Sequence, residues 1–313
     1  MHTYVVKRLL LSGITLLAVL TLIFFIVRIV PGDPARVVLG EQATTQAIDA
    51  MRQRLGLDEP LVVQYWRFLR GALVFDVGKS MVTGAPVLQV IGEVLPSTLE
   101  LSAAALVLGC VIGIPLGIWS AVRRNRFADY VIRVASLLGL SFPAFVSAIL
   151  LLLAFAISLR WFPVMSSGNS TGLADHLRQL VLPAVNLALI MAAYITRVSR
   201  SAMLEILRED YMRTAIAKGV PPLAVVWRHG VRNALIPVVT VTGLYLGILI
   251  GNSVLTEIVF NRPGLGKLIV GSLAQRDYTM LQGLMVAYTM IVVAINLMTD
   301  LTYGFIDPRV RYE

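Results

Sequence analysis

The chain has 313 residues, of which 57% are hydrophobic and 14% are charged, and its mean hydropathy is +0.79. These values are far from those of a soluble globular domain, so the composition excludes that class and predicts a protein with several membrane spans. The net charge of +9 does not indicate nucleic-acid binding, because the basic residues lie at the ends of apolar runs rather than in one basic stripe. We therefore expect membrane lipid, and no nucleic acid, around this chain.

Six stretches contain no Asp, Glu, Lys or Arg, and each is close to the roughly 20 residues that a helix needs to cross a bilayer. They are Leu9 to Val27, Leu101 to Val122, Val134 to Leu159, Gln179 to Thr196, Asn233 to Thr256, and Tyr278 to Thr299. None shows the alternation of a membrane strand, and a helix satisfies its own backbone groups in lipid. The pattern predicts an all-α polytopic membrane protein with six transmembrane helices.

The basic residues predict the orientation of these helices. Lys and Arg exceed Asp and Glu mainly in the N-terminal residues, the 123–133 loop, the 197–232 loop and the C-terminal tail. Because short cytoplasmic loops collect basic residues, we expect both termini in the cytoplasm and the first helix retained as a span. The predicted organisation is an N-terminal end with helix one (1–30), an extracytoplasmic segment (31–96), a five-helix core (97–305) and a tail (306–313).

The extracytoplasmic segment carries its own helix signals. Pro31-Gly-Asp-Pro34 ends the first span, and the chain is expected to stay outside until about Pro96. Thr44 or Thr45 is expected to cap a short helix that stops at Gly56, and a second amphipathic stretch runs from Gln64 to Phe75. These signals predict a small cap packed on the ends of the spans.

Signals for chemistry within the chain are weak. Gly71 to Ser80 ends like a phosphate-binding loop, but six residues rather than four separate its glycines and the topology places it outside the cell. The single cysteine, Cys110, lies within an apolar run, and His2, His176 and His229 lack ligand spacing. We expect no metal, no cofactor and no enzymatic activity in this chain itself.

A charged segment within the predicted cytoplasmic loop 201–235 has helical character. Leu204, Leu207, Tyr211 and Ala215 recur at helical spacing from Ser201 to Lys218, and Glu209 is spaced to pair with Arg213. Gly219 can terminate the helix in a left-handed conformation before Pro221 and Pro222. Such a helix either lies on the lipid surface or projects into a groove on a partner protein.

These residues carry a resemblance to a known family. The run Arg213-Thr-Ala-Ile-Ala-Lys-Gly219 resembles the coupling loop, or EAA loop, of bacterial ABC import permeases, with Arg213-Thr214-Ala215 where the general pattern has Glu-Ala-Ala. The continuation His229 to Pro237 is similar to the dipeptide, oligopeptide and nickel branch. Further matching motifs, in order, are Pro31 to Pro34, Leu55 to Pro60, Leu95 to Leu101, Glu257 to Gly266, Arg276 to Tyr278, Gln282-Gly283 and Asp307 to Arg309.

The resemblance implies a type I ABC importer fold with an extracytoplasmic insertion after helix one. It also implies a B-type subunit that pairs with a homologous C-type permease subunit. Two ATPase domains would bind the ATP and magnesium, and an extracytoplasmic binding protein would deliver a peptide cargo. The expected contacts to the ATPases are Asp210, Tyr211, Arg213, Thr214, Ala215, Ala217, Lys218 and Gly219.

Other polar or small residues in the spans have two interpretations. Ser141, Ser147, Asn186, Tyr194 and Asn252 are candidates for the translocation pathway, with hydrogen bonding between helices as the alternative. Gly109, Gly113 and Gly117 indicate close helix packing, with a gating hinge as the alternative. The outer loop (257–280) is a candidate contact for the binding protein or a re-entrant element. A secondary transporter or channel independent of ATP remains the alternative function.

Overall fold

The computed structural model describes residues 2–29, 34–40, 43–74, 76–166 and 172–306, and within these ranges the chain is almost wholly helical. Its α-helices are α1 His2–Ile29, α2 Pro34–Leu39, α3 Thr45–Leu55, α4 Leu61–Leu73, α5 Val87–Val122, α6 Phe127–Ser141, α7 Ala144–Leu151, α8 Leu173–Ile206, α9 Asp210–Ala217, α10 Pro222–Ala224, α11 Arg232–Val259, α12 Leu265–Ala274 and α13 Tyr278–Ile306. Leu152–Ser158 and Val225–Val231 wind as wider π-helical turns. Residues 31–33 of the first family-like motif and the whole of the last one, 307–309, lie outside the described residues.

The six predicted spans are present, but the third is not continuous. In the described chain, five helices are long and apolar enough to cross a membrane, and a sixth span forms only if α6 and the helix that starts at Ala144 are counted together. These two helices meet at 102°. Phe142 has an extended backbone (ψ 127°) because Pro143 disfavours helical geometry in the residue before it. The expectation of one straight helix from Val134 to Leu159 was therefore wrong.

Contacts divide the chain into two compact units. The large unit comprises Thr98–Arg262 together with the residues from Met298 onward, and the small unit comprises His2–Ser97 together with Pro263–Leu297. Each has its own apolar core, which in the large unit centres on α8 and includes Leu187, Met191 and Ile195.

In the small unit, the predicted cap of α3 is confirmed. The Thr44 side chain accepts a hydrogen bond from Ala47 N (3.3 Å), and Gly56 ends the helix with φ +68°. The second predicted helix is α4, which packs on α1 through a hydrogen bond between Tyr65 and Thr21 (2.6 Å). The Arg28 guanidinium donates to Gln64 Oε1 (2.9 Å), so this charge at the end of span one is tied to α4.

The second span begins earlier than expected. α5 starts at Val87 and continues through Pro96, which was expected to mark the entry into the membrane. Before it, residues 78–86 form a small loop around the buried carboxylate of Asp277, which accepts hydrogen bonds from the Ser80 hydroxyl and from Met81 N. The Gly-Lys-Ser sequence thus belongs to a loop that binds a carboxylate of its own chain.

The large unit contains a close contact between α5 and α8 that follows the glycine repeat. A Cβ placed on Gly113 would lie 2.8 Å from Ala192 O, and one on Gly117 would lie 2.6 Å from Thr196 O. A Cβ on Gly109 would lie 2.5 Å from the Met191 side chain. The interpretation of these glycines as close-packing residues is confirmed, since the helix backbones approach too closely for any side chain.

Candidate functional site: a coupling segment after α8

The predicted helix from Ser201 to Lys218 forms as two helices, and we refer to residues 207–231, between α8 and α11, as the candidate coupling segment. α8 ends at Ile206, a turn covers 207–209, and α9 begins at Asp210. Glu209 has an extended backbone (φ −63°, ψ 146°), so the chain changes direction just before the motif. The expectation of one continuous helix was wrong, and the motif instead occupies a separate two-turn helix.

One face of α9 is buried. Met212 and Ala215 are 1% and 9% exposed and pack with Val225, Ile206 and Leu207. The π-helical turn that follows packs on the same face, since a Cβ on Gly230 would lie 3.5 Å from Met212 Cε, and it also packs on α8, since the same Cβ would lie 2.6 Å from Met203 Cε. Asn233 Nδ2 donates to the Tyr211 hydroxyl (3.1 Å), which ties the start of α9 to α11. α9 is therefore fixed to the rest of the large unit.

The opposite face of α9 is exposed. Arg213, Thr214, Ala217 and Lys218 lie on it, together with Asp210 at its start. Arg213 lies 3.6 Å from Asp210 Oδ1, with both side chains largely in solvent. The structure pairs Arg213 with Asp210, so the expected pairing with Glu209 was wrong.

The predicted stop at Gly219 is confirmed. Gly219 has φ +77°, a left-handed conformation that residues with a Cβ rarely adopt, and its N–H donates to Ile216 O (2.9 Å). Val220 N donates to Ala215 O (3.2 Å), which satisfies another carbonyl of the last turn. The segment thus has a defined length and direction.

Three exposed apolar side chains on this segment were missed by the sequence argument. Ile216 is 62% exposed, Leu223 72% and Trp227 58%. A large apolar side chain in water is unfavourable unless a partner or lipid covers it, so clusters of this kind mark interaction surfaces. The spacing of these residues was an available signal. Ile216 directly follows the buried Ala215 and so points away from it on the helix, and Leu223 and Trp227 are four residues apart, the spacing of one helical face.

The candidate pathway residues separate into two groups. Asn186 is fully buried, and its side chain bonds Ser147 Oγ (2.6 Å) and Thr256 Oγ1 (2.9 Å). It thereby joins α8 to α7 and α11, so hydrogen bonding between helices accounts for Asn186 and Ser147. Ser141 and Asn252 are exposed, and Tyr194 stacks on Tyr245 with ring centroids 4.4 Å apart.

A second polar cluster lies near the start of α8, and sequence reasoning did not find it. Glu100 Oε2 accepts a hydrogen bond from Arg262 (2.6 Å), and Glu100 Oε1 lies 2.5 Å from His176 Nε2. Glu257, fully buried, accepts a hydrogen bond from Thr98 (2.8 Å). Charged and hydroxyl groups therefore connect α5, α8 and the end of α11 within the large unit.

Two family models match this chain. The model described as "Binding-protein-dependent transport system inner membrane component" matches residues 113–312, and the model of the N-terminal part of such membrane components matches residues 1–102. The first match alone covers more than half of the chain and contains the whole coupling segment. The chain belongs to this family of transport permeases. It is a multi-pass inner-membrane component of a binding-protein-dependent transport system.

Relatives match the permease from end to end. The glutathione transport system permease protein GsiC of Salmonella paratyphi A is 42% identical over 313 residues, covering 100% of both chains, and GsiC of Escherichia coli K12 has the same identity and coverage. A probable peptide ABC transporter permease protein, y4tP, of Sinorhizobium fredii is 41% identical over 314 residues, again with 100% coverage of both.

A solved structure shares the permease fold. The inward-facing MetNI methionine ABC transporter contains a chain that aligns with a TM-score of 0.55 at 20% sequence identity, covering 71% of the permease and 98% of that chain. This likeness supports the expected type I importer fold.

Proposed function

We propose that this permease is the membrane subunit of an ATP-driven ABC importer that carries peptides, most simply di- or oligopeptides, into the cytoplasm. Relatives named for glutathione and for peptide transport, each aligned over the full chain, support a peptide cargo. The shape and exposure of the coupling segment support a drive from separate ATPase subunits. Those subunits, not this chain, bind ATP and magnesium.

The observation that carries the proposal is the two-faced structure of α9. Its inner face is packed against the end of α8, whereas its outer face presents Arg213, Lys218 and the apolar Ile216 to a partner. A short rigid helix held at both ends can transmit a push from a partner, because its own length and angle are fixed by Gly219. An ATPase groove that receives this face would move α8 and α11 when the ATPases close.

The family to which the chain belongs supports the remaining partners. Both termini and the coupling segment lie in the cytoplasm in our proposal, and the small-unit segments between α1 and α5 lie outside with the binding protein. A homologous C-type permease subunit completes the pathway. Exposed Ser141 and Asn252 line it together with Tyr194, while Ser147 and Asn186 hold the surrounding helices.

The test uses the assembled complex with its binding protein. Arg213→Glu and Gly219→Pro are expected to leave membrane insertion intact and to abolish the ATPase stimulation caused by loaded binding protein. Arg124→Glu is the matched control, since Arg124 is an exposed arginine in the α5–α6 turn. Stimulation that survives both coupling variants would overturn the proposed role of α9.

The cargo needs a separate experiment. Mass spectrometry of ligands that co-purify with the binding protein of this transport system is expected to show short peptides. Uptake by proteoliposomes that contain this chain alone, without ATPases, would instead favour a secondary transporter or channel.

A further inference from the structure

A fully buried carboxylate in the large unit, that of Asp129, lies in the first turn of α6. Asp129 is 0% exposed. Burial of a carboxylate is costly unless hydrogen bonds and an opposite charge compensate for it. The surroundings of Asp129 supply both.

Groups from three places in the chain surround this carboxylate. Arg200 of α8 binds it through both Nε (2.8 Å to Oδ1) and Nη2 (2.9 Å to Oδ2). The Ser120 hydroxyl of α5 donates to Oδ1 (2.5 Å), and the backbone N–H of Asn125, in the α5–α6 turn, donates to Oδ2 (2.9 Å). We refer to these four residues as the Asp129 cluster. Because two parallel hydrogen bonds fix the angle as well as the distance between their partners, the cluster sets the orientation of α6 on α8.

The Asp129 cluster lies between the coupling segment and the broken third span. From Arg200, α8 continues for six residues to Ile206, which packs against the buried face of α9. From Asp129, α6 runs to the bend at Ser141–Pro143. The α5–α8 contact is next to the cluster, since a Cβ on Gly117 would lie 2.6 Å from Ser199 Cβ. α5 and α8 are therefore already joined by their backbones, and the cluster adds α6 to that pair.

We propose that Asp129 and Arg200 are positioning residues that make α6 move with α8 and so carry the movement of the coupling segment into the bend of span three. The inference rests on the proposed ATP-driven function. The cluster is suited to this task because an apolar contact between α6 and α8 permits sliding, whereas a bidentate ion pair supported by a hydroxyl and a backbone N–H permits only one arrangement. Ser120, being fully buried, holds the pair in place from α5.

The test compares transport with ATP consumption in the reconstituted complex. Asp129→Asn and Arg200→Gln are expected to retain ATPase activity but to lower the peptide transported per ATP by at least roughly five-fold, the low end of usual coupling between sites. The double variant is expected to be no worse than either single variant, because both remove one shared contact. Arg133→Gln is the matched control: Arg133 is one turn along α6, half exposed and 3.7 Å from the same carboxylate. The Arg133→Gln variant is expected to leave the amount of peptide transported per ATP unchanged.

A merely structural role gives a different result. ATPase activity and transport would then both fall in proportion to the amount of folded complex. In that case the amount of peptide transported per ATP would be unchanged, which would overturn the proposal. If the wild-type complex shows no ATP-dependent transport at all, the proposed function fails instead, and a distance measurement still decides the role of the cluster.

That measurement uses spin labels at Val134 of α6 and Ser201 of α8, both exposed, in a complex whose native cysteines, including Cys110, are replaced. The distance is expected to stay narrow and constant with and without nucleotide, and to broaden in Asp129→Asn. An equally narrow distribution in Asp129→Asn would overturn the proposal.

Discussion

The α5–α8 contact and the coupling segment both depend on α8, but they are built in opposite ways. At the contact, Gly113 and Gly117 bring two backbones together and no side chain separates them. In the coupling segment, α9 buries only Met212 and Ala215 and leaves its charged and large apolar side chains in solvent. The difference indicates that small residues bring the backbones of α5 and α8 together, whereas the large and charged residues beyond the end of α8 remain available for a partner.

The largest effect is expected where a side chain is forced into the α5–α8 contact. Gly117→Val would place atoms within 2.6 Å of Thr196 O, where helix backbone cannot move away. Overpacking of this kind costs about 1–3 kcal/mol or more, so we expect a large loss of folded permease, measured as yield and as thermal unfolding in detergent. Gly13→Val in α1 is the control, because in the described part of the chain no atom beyond the neighbouring backbone of α1 itself lies within 4 Å of a Cβ there. Similar yields for the two variants would contradict the close contact.

Two substitutions by Glu, one on the buried face of α9 and one on its exposed face, test the stability of the permease and its binding of the ATPases separately. Ala215→Glu would bury a carboxylate among Met212 and Val225 and is expected to destabilise the permease. Ala217→Glu, on the exposed face, is expected to leave the unfolding temperature unchanged but to reduce co-purification of the ATPases. If Ala217→Glu lowered the unfolding temperature and Ala215→Glu did not, the assignment of the two faces would be reversed.

A smaller effect is expected for the buried amide of Asn186. Asn186→Leu removes its hydrogen bonds to Ser147 and Thr256, and such bonds between membrane helices contribute about 0.6 kcal/mol on average. We expect a modest reduction in the thermal unfolding temperature. Asn252→Leu, at an exposed position of α11, is expected to show none, although it is expected to alter transport. Equal unfolding temperatures for the two variants would argue against a structural role for Asn186.

The smallest effect is expected for the exposed ion pair of the coupling segment. Asp210→Ala removes a 3.6 Å pair with Arg213 whose side chains are 97% and 75% exposed, so solvent already screens the interaction. The unfolding temperature should not change, in contrast to Asp129→Asn, which leaves Arg200 without its buried partner. A clear loss of stability in Asp210→Ala would mean that α9 is held by charge rather than by its apolar face.

The sequence predicted features that depend on neighbouring residues. The Thr44 cap, the stops at Gly56 and Gly219 and the six apolar spans each arise within a few turns of chain, so residue type and spacing were sufficient. The glycine repeat at 109, 113 and 117 also predicted close packing, because only glycine permits it.

Features that depend on distant residues were not predicted. Glu100 contacts Arg262, 162 residues away, and the residues around either one do not indicate that the two are partners. In the sequence, Asp129 is one charge within the 123–133 loop, and only the fold shows that Arg200 is its partner. The break at 207–209 contains neither glycine nor proline, and it allows Met212 and Ala215 of α9 to pack against Val225. Pro143, by contrast, was an available signal for the bend in span three. The signal was overlooked because the apolar residues continue without interruption on both sides of the proline.

The π-helical turn Val225–Val231 links the coupling segment to α11 without a loop. Such turns contain one residue more than an α-helical turn would use. Because the wider turn accommodates that extra residue, deletion of one residue there would restore α-helical winding and leave the segment before it in nearly the same rotational position relative to α11. The turn therefore allows the chain to lose a residue ahead of α11 without turning the exposed face of α9 away from its partner.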